Sequence, residues 1–281
     1  MQIRGMVLSK RVLFGVIIIS VMAVAALLAP HFTGYDPLAM ELSPEQRLQG
    51  PSFEHPFGTD NLGRDVFSRM LYGARISLSV GFIAVTISVV TGVVLGGISG
   101  YFGGKVDTLI MRFVEVMYCF PTFFLIMMVI TFLGPGIFNV MVVIGLTSWP
   151  GLCRLVRAEF LSLQTRDYVS AARVQGVSDI RIIFRHILPN AMGPVYVSAT
   201  LSVGAAILVE SALSFLGLGV QIPVPSWGNI LTSGKNYIDH AWWLTLFPGV
   251  AILLTVLSFN LIGEGIRESM DPRLRRRGNV R

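Results

Sequence analysis

Residues 167–190 read DYVSAARVQGVSDIRIIFRHILPN. This polar, arginine-rich stretch lies between two long apolar runs of a chain that is otherwise mostly apolar. A connection of this length does more than join its neighbours. Good helix formers at 167–175, with Ala171 and Ala172 at the centre, lead into Gly176. Glycine permits a left-handed turn or helix C-cap there. Ser178 or Asp179 is placed to cap a second short helix. On that helix Ile180, Ile183 and Phe184 share one face, and Arg181 and Arg185, four apart, share another. Leu188-Pro189-Asn190 is expected to end it and begin an apolar span. The reading is helix, glycine turn, helix, offered as a docking surface at a membrane boundary.

The flanks fix the setting. Of 281 residues 53% are hydrophobic and only 14% charged, with mean hydropathy +0.69. A soluble chain carries about 25% charge. Uncharged runs cover 12–35, 76–104, 116–153, 186–209, 211–234 and 240–263. A spanning helix needs roughly 20 apolar residues. Gly134-Pro135-Gly136 divides the long third run, and Gly217, Gly219, Pro223 and Pro225 make 211–234 a loop. The expectation is an all-α membrane protein with six spans, near 12–29, 77–101, 114–133, 138–154, 191–213 and 241–262. Pro121 and Pro248 fall inside spans, where proline kinks helices.

Six spans put both termini on one side. With the termini inside, 17 of the 22 Lys and Arg residues lie on the inner side; Arg47, Arg64, Arg69, Arg75 and Lys235 lie outside. Positive charge marks the cytoplasmic side, so both termini and 155–190 are expected in the cytoplasm. The sequence pI near 9.7 therefore needs no nucleic acid. Arg273, Arg275, Arg276 and Arg277 read as a topology signal beside anionic membrane lipid.

The chain divides into 1–75 (tail, first span, external segment), 76–267 (core with loop 155–190) and 268–281 (basic tail). Within 57–75, apolar residues at 66, 67, 70, 71 and 74 follow helical spacing. They suggest an amphipathic helix at the outer interface, capped by Asp60 or Asn61; a wall of an outer cavity is the other reading. Gly92, Gly96 and Gly100 line one helical face and permit close helix approach, within this chain or with another. Cys119 and Cys153 read as small packing residues, and Trp242 and Trp243 as interfacial aromatics. His31, His55 and His240 lack ligand spacing, so no metal site is expected. Glu210 sits inside a span near its outer end. It is either a structural carboxylate hydrogen-bonded to helix ends or a group in the translocation pathway or outer gate.

Ala171-Ala172-xxx-Gly176, followed by Ile187-Leu188-Pro189, resembles the signature loop of binding-protein-dependent ABC importer permeases. Ser170 stands where that family commonly has Glu, and His186 where it has Ile. Further stretches agree: Phe57-Gly58-Thr59-Asp60-xx-Gly63-Arg64-Asp65, Ser211 to Gly219 (SALSFLGLG), Pro225-Ser226-Trp227-Gly228 and Asp271-Pro272-Arg273. They are similar to the C-type permease subunits of dipeptide, oligopeptide and nickel importers. The resemblance implies a type I importer bundle, with Ser170, Ala171, Ala172, Gly176, Arg181, Arg185, His186, Leu188 and Pro189 forming the loop that seats in an ATPase. It also implies partners: a homologous permease, two ATPase subunits that bind ATP and Mg, and an external substrate-binding protein. The chain has no GxxxxGK[ST] phosphate loop, so no cofactor is expected on it and hydrolysis belongs to other chains. Peptides are the expected cargo, with nickel or a metal chelate second. A self-sufficient secondary transporter is the rival of another class, but such proteins usually carry several intramembrane ionisable sites or repeats.

Overall fold

A computed structural model describes residues 10–40 and 43–270. The basic cluster Arg273–Arg277 and the Asp271-Pro272-Arg273 motif lie outside the described residues. All regular elements among the described residues are helical; besides two single turns, Ala29–Phe32 and Pro44–Gln46, they are α1 (Lys10–Leu27), α2 (Val66–Phe102), α3 (Gly104–Tyr118), α4 (Thr122–Leu133), α5 (Ile137–Gln164), α6 (Asp167–Val174), α7 (Asp179–Phe215), α8 (Trp227–Gly234) and α9 (Trp243–Met270). Among them α1, α2, α5, α7 and α9 are long and apolar enough to cross a membrane, and α3 with α4 passes the same test only as a bent pair, which gives six spans if the pair counts as one. Six spans were expected, and the broken one differs in shape from the straight helix implied by 114–133. The two pieces meet at 88°. Pro121, which lacks an N–H and clashes with the preceding turn, stands at the break.

The long helices overrun the expected spans. α5 continues ten residues past 154, because hydropathy marks only the lipid-facing part of a helix that extends beyond it. α7 runs unbroken through Leu188-Pro189-Asn190, where a break was expected. Its turn Ile182–Ile187 is π-helical, and the Leu188 N–H donates to the Ile183 carbonyl. Widening to an i→i−5 pattern accommodates the proline without ending the helix.

The centre of the bundle is the pairing of α2 with α5 and α7, and α9 packs on α7 and α1. Gly92, Gly96 and Gly100 of α2 face α5: β-carbons there would come within 3 Å of Leu152, Cys153 and Phe160. The glycine ladder is thus an intramolecular contact, and Cys153 is one of the residues buried against it. Cys119 is exposed.

We call the end bearing Gln164 and Asp179 the loop end, and that bearing Trp243 the far end. The expected separate interfacial helix at the far end is instead the first turns of α2, starting at Val66. Asp65, not Asp60 or Asn61, caps it, accepting from the Ser68 N–H at 2.7 Å. Helical periodicity is the same whether the apolar face meets lipid or protein, and here it meets protein: Val66, Met70 and Ala74 are buried. Arg64 and Arg69 are buried too, beside Asp60 at 2.7 and 3.6 Å. Trp243, expected at a lipid interface, is buried and donates from Nε1 to the Thr59 carbonyl at 3.1 Å. Trp242 remains exposed.

Candidate functional site

The loop between α5 and α7 stands out from the loop end. α6 presents only Val169 and Ala172 to the bundle. Ser170, Ala171 and Arg173 face outward. Gly176 turns the chain at φ +74° with open space around it. Ser178 takes the cap position of α7 with extended backbone, yet its side chain makes no capping bond. The Asp179 carboxylate instead accepts from Tyr101 of α2.

An uncovered apolar surface results. Val174 is 90% exposed, Ile180 71% and Phe184 65%. Arg181 and Arg185 flank it, exposed; His186 and Leu188 are half-buried, and Pro189 is exposed. Ile182 and Ile187 point the other way, into a core with Val156, Phe160, Ala172 and Ala191. The loop is therefore anchored on one face and bare on the other. A bare apolar face rimmed by arginines, at one end of a bundle of apolar helices, has the composition of a protein-binding surface.

Sequence reading did not foresee what holds the loop. Three consecutive residues at the end of α2 each bond a different element. Ser99 Oγ donates to Asp107 of α3 at 2.5 Å. The Gly100 carbonyl accepts from Gln164 Nε2 of α5. Tyr101 Oη donates to Asp179 Oδ1 of α7 at 2.5 Å. Asp107 also holds Arg157 of α5 through two bonds, at 2.5 and 2.7 Å. The Arg173 guanidinium lies 5.6 Å from the centre of the Tyr101 ring, within cation–π range, and bonds Gln164 Oε1 at 3.3 Å. No local feature of the sequence marks Tyr101 for this role, because its partner Asp179 is 78 positions away.

Glu210 lies near the far end of α7, fully buried. Serines enclose its carboxylate. Ser214 donates to Oε1 at 2.8 Å, and Ser77 of α2 and Ser211 donate to Oε2, each at 3.4 Å. Two of these hydroxyls are themselves acceptors. The Val220 N–H donates to Ser214 at 3.0 Å, and the Trp227 N–H, in the first turn of α8, donates to Ser77 at 3.3 Å. One carboxylate thus ties α2 and α7 to the start of α8, an element inside the stretch expected to be loop. Ser226 and Asn229 close a capping box on α8, and Gly228 lets it lie directly on Ser211 and Ser214.

Comparison with known proteins agrees with this geometry. The dipeptide transport system permease protein DppC of Alkalihalophilus pseudofirmus is 45% identical over 95% of this chain and 87% of its own length. The di/tripeptide transport system permease protein DppC of Pseudomonas aeruginosa is 41% identical over 95% of this chain and 89% of its own. Among solved structures, an inward-facing MetNI methionine ABC transporter shares the fold at TM-score 0.59, with 18% identity over 73% of this chain and 98% of the matched one. Residues 92–276, which include the loop, match the binding-protein-dependent transport system inner membrane component family. The chain belongs to that family and is a permease component of such a system.

Proposed function

We propose that this chain is the permease subunit of an ATP-driven importer of short peptides, and that loop 167–190 is the element through which an ATPase on another chain drives it. The observation that carries the reading is the bare apolar face of Val174, Ile180 and Phe184, on a loop firmly held by its other face. The relatives' transport of dipeptides and tripeptides supports the cargo.

In this reading the loop end is cytoplasmic and the far end external. Ser170, Ala171, Gly176, Arg181 and Arg185 lie against the ATPase, while Ala172, Leu188 and Pro189 set the angle of the two helices. A homologous permease completes the pathway, two ATPase subunits bind ATP and Mg, and an external binding protein delivers substrate. Membrane lipid covers the remaining apolar faces. Glu210 belongs to the outer closure and not to substrate contact, since serines enclose its carboxylate.

Uptake of a labelled dipeptide by cells lacking and regaining this chain tests the cargo. Uptake should vanish and return, and nickel accumulation should not change. Dependence of nickel uptake alone on the chain would overturn the peptide assignment.

A further inference from the structure

α2 and α7 are fastened to each other at both ends by the same chemistry. At the loop end Tyr101 of α2 donates to Asp179 of α7, and at the far end Ser77 of α2 donates to Glu210 of α7. Ser77 and Tyr101 are 24 residues apart on one unbroken helix. At 1.5 Å per residue, that is about 36 Å, more than the hydrocarbon thickness of a bilayer at about 30 Å.

Each fastening also holds an element that the helices alone would not place. Asp179 opens α7 immediately after the turn at Gly176, so its bond to Tyr101 fixes the exit of the exposed loop. Glu210 holds Ser77, which receives the first-turn N–H of α8, so it fixes the start of α8 at the far end. Between the two lie the close contacts of α2 with α5, which leave little room for α2 to bend or slide. Interfaces packed this tightly switch between discrete arrangements and do not deform continuously.

We propose that Tyr101–Asp179 and Ser77–Glu210 are paired clasps that make α2 and α7 a single rod, carrying a displacement of the loop to α8 at the opposite membrane face. Tyr101, Asp179, Ser77 and Glu210 are positioning residues: they touch neither nucleotide nor cargo. The inference rests on the coupling role proposed for the loop. It adds that transmission depends on both clasps, so that opening either has the same effect as opening both.

The test uses the complete importer with its ATPase and binding protein, reconstituted in vesicles. It measures dipeptide transported per ATP hydrolysed. Tyr101→Phe and Ser77→Ala should each lower this ratio at least about threefold, and the double variant should be no worse than the more severe single one. A rod freed at one end transmits nothing further to lose. Independent losses would multiply instead. Asp179→Asn, which keeps an accepting carbonyl oxygen, should retain coupling, whereas Asp179→Ala should lose it. This pair also decides the matter if Tyr101→Phe fails to assemble. A loss of purely structural support would lower the amount of complex and leave the ratio unchanged. Wild-type ratios in Tyr101→Phe and Asp179→Ala, or multiplicative losses in the double variant, would overturn the proposal. Absence of ATP-driven uptake in the unaltered importer would instead count against the function proposed above.

Discussion

Gly96 and Cys153 meet backbone to backbone: a β-carbon on Gly96 would lie 2.5 Å from the Cys153 carbonyl oxygen and 2.8 Å from Val156 Cβ. Neither neighbour is the movable end of a side chain. Gly96→Ala must push α2 from α5, and overpacking of this kind costs about 1–3 kcal/mol. Gly249 lies within a helix with nothing near its β-position. Gly249→Ala should be neutral or stabilising by up to about 1 kcal/mol, from helix propensity alone. Thermal unfolding of the solubilised complex should fall for the first and not for the second.

Asp60 is the carboxylate beside two buried guanidiniums, Arg64 and Arg69. Breaking a buried pair by removing one partner costs about 3–5 kcal/mol, because the remaining charge is left buried. Asp60→Ala should therefore deplete the assembled protein strongly. Removing Glu115, whose pair with Arg112 is exposed, should change stability by about 1 kcal/mol at most. Quantitative immunoblots of membranes from cells expressing each variant check the contrast.

The proposed orientation, with the loop end in the cytoplasm, rests on the basic residues. Ser52 lies in the segment before α2 and Ser178 in the loop, and both are exposed. In intact cells, an impermeant thiol reagent should label Ser52→Cys and spare Ser178→Cys in a background lacking Cys119 and Cys153. The reverse pattern would invert the assignment.

Gly176 turns at φ +74° with no atom within 4 Å of its β-position. Substitution there meets backbone strain and no collision. Gly176→Val should cost about 1–2 kcal/mol locally and mis-aim α7 at its partner, so abundance stays near normal while peptide uptake falls several-fold. Asn tolerates the left-handed region better than β-branched residues, and Gly176→Asn should retain most uptake.

Much of this was legible in the sequence because the signals were local. Apolar runs, Gly-Pro breaks and the basic-residue count gave six spans and a polar loop, and Gly176 was readable as a left-handed turn. What escaped depended on partners distant in sequence. Arg64, Arg69 and Trp243 looked like interface residues because periodicity and composition do not say whether a helix faces lipid or protein. The continuity of α7 through Pro189 was hidden because a π-turn absorbs what normally ends a helix. Tyr101 gave no sign of its role, since Asp179 lies 78 positions away. Glu210 was noticed for its charge, but the serines enclosing it include Ser77, 133 positions distant.

The central claim is that the bare face of the loop is where ATP hydrolysis elsewhere is converted into movement of this bundle. Phe184 is 65% exposed, and full burial of such a side chain contributes about 1.5–3 kcal/mol. Phe184→Asp removes that contribution and places a carboxylate in the contact. ATP-driven dipeptide uptake and the amount of ATPase retained with the purified permeases, measured on the same preparation, test the claim most directly. Both should fall about tenfold or more with the permease present at normal abundance. Retention of the ATPase and uptake at wild-type levels would contradict the account.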